Sequence, residues 1–400
     1  MNSSQLVICI GGKNEIAITT AKFIQSNYPQ IMLCGITYTT DNGTDSYFKS
    51  YKKFLSENNI PQVLLSDIYK LQNLIFLSLE FDKIIKPNLF ISNRLYNIHF
   101  SLLPAYKGMY TSIWPILNGE THTGVTLHKI NRGIDTGDIA EQIKIKIDPE
   151  ETVKTLYKKY MNTGTELIKE NIDTIIKDEL SFRPQSAEGS TYYSKKTIDF
   201  KNLSIDLNVT ASMLHTCIRA FAYREYQIPQ IAGCHVHSSV ITDKQSQLVP
   251  GSIVEETETA IELSTVDFNI LLYKDKFIEV LAACKDDDIL SLQKYFHKHY
   301  LEEQTTEGWT PLMVACYNNA LNCACFLLKN GANVNAVNFK GTSVLMYAKD
   351  GAIKSGRTTI ADVVLSYKPD IFLKDYNDKT VFDYLSGGSL ITEQYIKSNI

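Results

Sequence analysis

The apolar run "QLVICIGG" closes on two glycines and predicts a buried strand, and "NEIAITTAKFIQSNY" behind it sets Ile16, Ala17, Thr20, Ala21 and Ile24 at helical spacing. A second short strand, "IMLCGITY", makes this a β–α–β start, and "PQVLLS", "LIFLSLEF" and "LFISNRLYNIHF" continue the alternation as further strands. Uninterrupted apolar runs suit strands covered on both faces, so the pattern predicts an α/β fold, an open parallel sheet with helices on both sides. "TGVTLHKI" and "AEQIKIKID" instead alternate apolar with polar positions and predict two more strands around the loop "NRGIDTGD". "EETVKTLYKKYMNTGTELIKENIDTIIKD" predicts one long amphipathic helix with acidic residues at its start, and residues 1–182 are expected to form the first domain.

From about residue 181 the period is lost: "SFRPQSAEGSTYYSKKTIDF" reads as a connecting segment. A helix over "VTASMLHTCIRAFAY" and short strands over "GCHVHSSVITD" and "GSIVEETETAIELSTVDFNILLY" make a small mixed α/β domain, residues 183–273. The remaining residues, 274–400, repeat. Gly308 and Gly341 fall in register at a spacing of 33, with Thr310-Pro311-Leu312 opposite Thr342-Ser343-Val344. "FLLKNGANVNAVNFKG" closely resembles the ankyrin repeat, with "FIEVLAACKDDDILSLQKYF" as an atypical first unit and a weaker one at "YNDKTVFDYL". Such units bury an apolar face only by stacking, so at least three are expected in an all-α array.

Net charge of −4 and a pI near 6.1 argue against a broad basic footprint for tRNA or DNA and turn attention to small substrates. The eight cysteines never form a CxxC pair and sit in apolar surroundings, so they read as reduced core residues with no metal site. "MNSSQLVICIGG" lacks the basic start of a signal peptide, and no run reaches the ~18 apolar residues of a membrane span. A cytoplasmic protein with no membrane partner is the expectation.

The candidate chemistry is Asn97, His99 and Asp135, on two loops that follow strands, where open α/β sheets place ligands. Asn97 and His99 alone say little. The whole pattern runs N-x-H-x-S-L-L-P-x-Y-x-G, then W-P-I-L-N-G-E, then G-V-T-L-H, then I-D-T-G-D-I, with 36 residues from His99 to Asp135. From Asn97 to Ile139 this resembles the 10-formyltetrahydrofolate-dependent formyltransferases, and the likeness extends less specifically over about residues 5 to 200. The resemblance implies a Rossmann-like open sheet and makes Asn97, His99 and Asp135 the catalytic trio. Their chemistry fits. The Asn97 amide N–H can stabilise an oxyanion, a kind of donor whose loss costs about 2.7–4 kcal/mol. His99 can accept the amine proton, and Asp135 can orient His99 or an attacking water. Ser101 to Pro104 read as the turn that fixes His99, and Tyr106, Gly108, Trp114, His122 and His128 read as scaffold. For the folate co-substrate the resemblance points to "SLEFDKIIKPNLF", with Phe81, Ile84 and Ile85 holding the pterin and Asp138 nearby; "DKIIKP" also reads as a buried strand end.

Within the family, a methionyl-tRNA enzyme is expected to carry a basic C-terminal barrel, whereas a neutral-to-acidic ankyrin array stands here, and glycinamide ribonucleotide enzymes are about half this length. "GGKNEIA" and "TYYSKK" resemble the nucleotide-linked amino-sugar N-formyltransferases. A dTDP-sugar needs cations for its pyrophosphate and a ring for its thymine, for which Lys13, Tyr193, Lys195, Arg219, Tyr223 and Arg224 are the candidates. With ankyrin repeats attached, the resemblance favours dTDP-3-amino-3,6-dideoxyglucose, then the galacto epimer, then 4-amino sugars, and implies O-antigen synthesis and a homodimer. Trp309, at a repeat turn, is the candidate for stacking a second sugar nucleotide; an ordinary repeat tryptophan, or a protein partner for the array, is the plainer reading. An ankyrin adaptor with a degenerate transferase domain and a formyltetrahydrofolate hydrolase stand as rivals.

Overall fold

The computed structural model describes residues 5–385 and divides into two compact units, residues 5–44 with 50–274, and residues 45–49 with 275–385. Among the described residues no helix is long and apolar enough to cross a membrane.

The first unit opens with β1 (Val7–Gly12), α1 (Asn14–Asn27), β2 (Met32–Thr37), α2 (Tyr51–Glu57), α3 (Leu65–Ile68), β3 (Leu74–Leu79) and β4 (Leu95–His99). It continues with the two-residue β5 (Lys107–Gly108), α4 (Trp114–Leu117), β6 (His122–Lys129), β7 (Ile139–Lys146) and the long α5 (Val153–Lys177). The six-stranded sheet runs β2-β1-β3-β4-β6-β7, parallel as far as β4 and antiparallel beyond it. Every position of β1 and β3 is buried, which is why those strands read as unbroken apolar runs. α5 starts where Thr152 accepts the Thr155 N–H, a side-chain cap inside the acidic "PEET", and it packs on α1, β6 and β7.

Two expected strands are corrected. "PQVLLS" pairs with the sheet only through a single bridge, Gly35 to Gln62, and then turns into α3. "LFISNRLYNIHF" contributes only Leu95–His99, because Leu89 closes the 3-10 turn opened by Pro87 and the residues after it bond elsewhere, the Ile91 N–H to the Tyr69 carbonyl and the Ser92 hydroxyl to the Leu74 carbonyl. "DKIIKP" is likewise loop rather than strand end.

The short β8 (Tyr192–Tyr193) runs beside β5. Next come α6 (Ala211–Phe221), β9 (Gln230–Ile231), β10 (Cys234–Gln245), β11 (Ile253–Glu256), β12 (Ala260–Leu263) and β13 (Phe268–Lys274), in a sheet ordered β11-β12-β13-β10-β9. Ala211, Leu214 and Ile218 of α6 bury against Val236, Ile261, Ile270 and Leu272 of that sheet.

The second unit is helical: α7 (Phe277–Asp286), α8 (Ile289–Tyr295), α9 (Pro311–Tyr317), α10 (Leu321–Lys329), α11 (Val344–Ser355) and α12 (Thr359–Ser366). One core runs through all three pairs, with Val280, Leu292, Leu312, Cys316, Leu327, Leu345 and Ile360 each at most 1% exposed. No pair could bury its apolar face alone, at about 1.5–3 kcal/mol per large side chain, so the stack is the folding unit. Thr310 and Ser343 cap α9 and α11 by accepting the N–H three residues on. The turn glycine Gly308 has φ +85°, and a Cβ there would stand 2.5 Å from the Phe339 nitrogen. "YNDKTVFDYL" forms a 3-10 turn at Phe382–Tyr384, and residues 386–400 lie outside the described residues.

Candidate active site

The parallel strands β1, β3 and β4 end together at one edge of the sheet, and the loop after β6 returns to that edge. Asn97 pairs with His128 across β4 and β6, so both side chains emerge on one face. The Asn97 Nδ2 donates to His128 Nε2 at 3.1 Å, while His128 Nδ1–H donates to the Lys129 carbonyl at 2.7 Å. Those two bonds set the tautomer: Nε2 carries the lone pair. Burial holds His128 at about 4, well below the ordinary histidine value of 6.5, with the Asp135 charge only partly opposing. A ring that stays neutral at working pH fixes which way the Asn97 amide faces, a role that the sequence reading of His128 as scaffold did not foresee.

His99 is buried, and its Nε2–H donates to the Tyr106 carbonyl at 2.8 Å. In the neutral ring the lone pair therefore sits on Nδ1, 3.5 Å from Asp135 Oδ2. The turn expected to fix His99 does so through that carbonyl: Thr126 Oγ1 donates to the Ser101 carbonyl and accepts the Leu103 N–H, folding the chain back to Tyr106. Asp135 has φ 51°, and its Oδ2 accepts the Gly108 N–H at 2.9 Å while Oδ1 lies 3.5 Å from Asn97 Nδ2. Gln185 Nε2 donates to the Asp135 and Gly137 carbonyls at 2.8 and 2.7 Å, and a Cβ on Gly137 would fall 1.8 Å from the Lys129 oxygen. The three expected residues converge, and Tyr106, Gly108, His128 and Gln185 aim them.

One strand over stands a group the sequence reading passed by. Glu80 follows β3 at the same edge, where Leu79 pairs with Ile98. Its Oε2 accepts from Tyr157 Oη at 2.6 Å and from Asn14 Nδ2 at 3.4 Å, and Asn14 also donates to Tyr157 Oη at 2.8 Å. Burial raises Glu80 above the usual carboxylate range, and Lys13 with the two hydrogen bonds only partly reverses it. The available signal was a charged residue closing an otherwise apolar strand, "LIFLSLE".

Lys13 lies beside this group, its Nζ 4.7 Å from the Tyr38 ring centroid; burial lowers it, but the Glu80 charge, the Tyr226 and Tyr38 hydroxyls and Asp82 outweigh that and leave it raised. Tyr223 is buried and its ring lies between those of Tyr157 and the exposed Tyr226. Tyr193 stacks on Trp114 at 4.1 Å, and the Lys195 carbonyl accepts the Tyr110 hydroxyl. Arg219 donates to the Glu151 carbonyl at 2.8 Å and to Thr216 Oγ1 at 3.3 Å, tying α6 to the start of α5; Arg224 lies just beyond the end of α6.

Of the folate candidates, Phe81 packs on Phe76, Ile85 is buried in the same cluster, Ile84 is 72% exposed, and Asp138 uses its carbonyl to accept the Lys129 N–H. The loop after β3 thus anchors two apolar side chains, Phe81 and Ile85, and leaves Ile84 open. In the repeats, Trp309 packs against Tyr347 and Tyr317 at 4.3 and 5.1 Å, and beside it is a concavity of about 310 Å³ lined by Thr305, Glu307 and Val314.

The family described as formyl transferase matches residues 13–172, and that described as ankyrin repeats (3 copies) matches residues 280–375. WlaRD, a sugar 3N-formyl transferase crystallised in the presence of dTDP and 5-N-formyl-THF, is similar at 41% identity and a TM-score of 0.63, over 68% of this chain and 98% of WlaRD. An N-formyltransferase from Helicobacter canadensis, in complex with folinic acid and dTDP-3-aminofucose, is similar at 38% identity and the same TM-score of 0.63, over 68% of this chain and 100% of that one. The methionyl-tRNA formyltransferase of Clostridioides difficile (strain 630) is more distant, 28% identical over 66% of this chain and 89% of that protein. With nearly the whole of two such enzymes matched at these identities, the chain belongs to the sugar N-formyltransferases, formyl-transferring enzymes, and carries ankyrin repeats in its C-terminal part.

Proposed function

We propose that this enzyme transfers the formyl group of 10-formyltetrahydrofolate to the amine of a dTDP-linked amino-dideoxyhexose, dTDP-3-amino-3,6-dideoxyglucose foremost, and that the product enters O-antigen synthesis in the cytoplasm. The observation that carries the reading is the convergence of Asn97, His99 and Asp135 at the carboxyl edge of the sheet. The ligands of the two solved relatives support the nucleotide and the folate. The galacto epimer is the second choice and a 4-amino sugar the third.

The folate co-substrate supplies an activated formyl carbon. His99 Nδ1, the one basic position its tautomer leaves, takes the proton that the sugar amine loses on forming the new C–N bond. Asp135 lies 3.5 Å away and stabilises the imidazolium so formed. The Asn97 amide, held by His128, donates to the negative charge that develops on the formyl oxygen. As the old C–N bond breaks, the proton on His99 is available for the departing nitrogen. Lys13 faces the pyrophosphate, and Phe81, Ile84, Ile85 and Asp138 border the pterin.

Incubating the protein with 10-formyltetrahydrofolate and a panel of dTDP-3-amino, dTDP-4-amino and UDP-4-amino sugars tests the reading by mass spectrometry. A gain of one formyl group on a dTDP-3-amino sugar is expected; no gain on any of them sinks the sugar assignment.

The exposed Val240, Ile241, Ile253, Val254 and Phe268 of the small sheet support a homodimer through that sheet. The concavity beside Trp309 supports a second sugar nucleotide in the repeats, its base stacked on that ring. Calorimetry of a Trp309→Ala variant with dTDP-sugar is expected to lose one site per chain; unchanged stoichiometry ends the idea.

A further inference from the structure

Lys13, Glu80 and His99 stand side by side in that order at the edge of the sheet. Gly12 of β1 pairs with Leu79 of β3, and Leu79 pairs with Ile98 of β4, so the residue that follows each of them falls on one line across three adjacent strands. The Lys13 N–H donates to the Leu79 carbonyl at 3.2 Å, which carries the register one residue past the end of β1. With strands ~4.8 Å apart the row spans ~10 Å of backbone, and Glu80 is its middle member.

The Glu80 carboxyl is half used. Tyr157 Oη and Asn14 Nδ2 both donate to its Oε2, at 2.6 and 3.4 Å, and among the described residues its Oε1 takes part in no hydrogen bond. Glu80 is only partly buried, and Oε1 is not sealed off from solvent. Asn14 and Glu80 hold φ of 57° and 56°, conformations that cost energy in residues other than glycine, so the surrounding structure maintains the arrangement that presents Oε1.

This inference rests on the sugar-nucleotide reading above, in which Lys13 meets the diphosphate on C1 of the hexose and His99 meets the amine. For an amine on C3, the ring carbon between those two is C2, and it bears a hydroxyl. We propose that Glu80 Oε1 forms a hydrogen bond with the C2 hydroxyl of the hexose, so that Glu80 selects sugars that carry oxygen at C2. A hydroxyl both donates and accepts, so the bond forms with an ionised or a protonated carboxyl alike. A sugar with no oxygen at C2 leaves Oε1 against a bound ring with no partner, and an unpaired desolvated oxygen costs more than an average hydrogen bond contributes.

The test uses full-length enzyme, wild type and Glu80→Met and Glu80→Gln variants, with 10-formyltetrahydrofolate and two sugars: dTDP-3-amino-3,6-dideoxyhexose and the same compound without the C2 oxygen, dTDP-3-amino-2,3,6-trideoxyhexose. In wild type the 2-deoxy sugar should lose roughly 10- to 100-fold in kcat/KM. Glu80→Met should bring the two sugars within about threefold of each other. Only the ratio between sugars is read, because Glu80 also lies beside Lys13 and braces Tyr157 and Asn14. Replacing it shifts diphosphate binding and local structure for both sugars alike, and the missing oxygen alters the basicity of the amine alike in all three enzymes, so both effects cancel in the cycle. Glu80→Gln can still accept from Tyr157 and Asn14 and offers its amide to the hydroxyl; its ratio should fall between the other two. Should Glu80→Met fail to fold, a Glu80→Gln ratio equal to that of wild type overturns the proposal. Two further results overturn it: a wild type indifferent to the C2 oxygen, and a wild-type ratio that persists in Glu80→Met while both sugars slow together, which makes Glu80 a brace and not a contact. A wild type that formylates neither sugar strikes the sugar-nucleotide reading itself, and the proposal with it.

Discussion

His99 holds its ring through a single bond to the Tyr106 carbonyl, which leaves Nδ1 as its one basic position. Replacing it by asparagine removes the proposed proton acceptor and no nucleotide surface. His99→Asn should therefore lower kcat by about 10²- to 10⁴-fold with dTDP-sugar affinity near normal, measured by steady-state kinetics and calorimetry. Turnover that survives would assign the base elsewhere. His128 works differently, because it accepts from Asn97 and never needs a charge. His128→Leu should cost about tenfold or more in kcat with little change in KM, by leaving Asn97, the proposed oxyanion donor, unaimed, whereas His128→Gln keeps an acceptor and most of the rate. The same residue sets an acid limit. Its folded value near 4 lies below the unfolded 6.5, so the unfolded chain binds the extra proton; the stability is fully present above pH 6.5 and is lost as pH falls towards 4. At 1.36 kcal/mol per unit that is on the order of 3 kcal/mol. Thermal melts of wild type against His128→Gln between pH 7 and 4.5 should show the variant losing less, and parallel pH curves would refute the assignment.

The loop between β6 and β7, residues 130–138, is braced within itself by Asn131, which accepts from Gly133 and Thr136, and near Asp135 by two further contacts. Gln185 bridges the carbonyls of Asp135 and Gly137, and Gly137 passes the Lys129 carbonyl too closely for any Cβ. Gly137→Ala must push the loop away and carry Asp135 with it. Misplacement by an ångström in such a site costs about 100-fold, so kcat should fall by that order while the melting temperature drops only a few degrees. Wild-type turnover in this variant would mean that Asp135 is aimed by something other than its loop. The repeats show the same economy: Thr310 and Ser343 start helices at equivalent positions, and Gly308 and Gly341 end the turns before them.

At the scale of the molecule, the five-stranded sheet covers one face with α6 and leaves Val240 and Ile253 about half exposed. If two copies meet there, Val240→Lys with Ile253→Lys should convert a sedimenting dimer to monomer and lower stability by removing buried apolar area, at about 25 cal/mol per Å². A wild type that sediments as a monomer at micromolar concentration would rule the interface out. The two units have separate cores, so a core truncation such as Leu312→Ala should shift one calorimetric transition by an amount equivalent to about 2–5 kcal/mol and is best analysed with a model that allows two.

The period of the apolar positions by itself determined β1, α1, β2 and α5, because each of those elements is specified by what it buries, whereas the helical array was read from its 33-residue repeat and the resemblance of that repeat to ankyrin units. It misjudged "PQVLLS" and the start of "LFISNRLYNIHF", where an apolar stretch packs as loop and 3-10 turn instead of pairing. The motif from Asn97 to Ile139 carried the three expected residues, since their order and spacing survive in one dimension. Their aiming does not. That Asn97 faces His128, that the Tyr106 carbonyl and not Asp135 holds the far nitrogen of His99, and that Glu80 keeps an open oxygen beside Lys13 all depend on strand register and the return of distant loops. Asn97 and His128 are 31 positions apart and Glu80 and Tyr157 are 77, separations with no period to read, and only the folded sheet edge brings them within hydrogen-bonding distance.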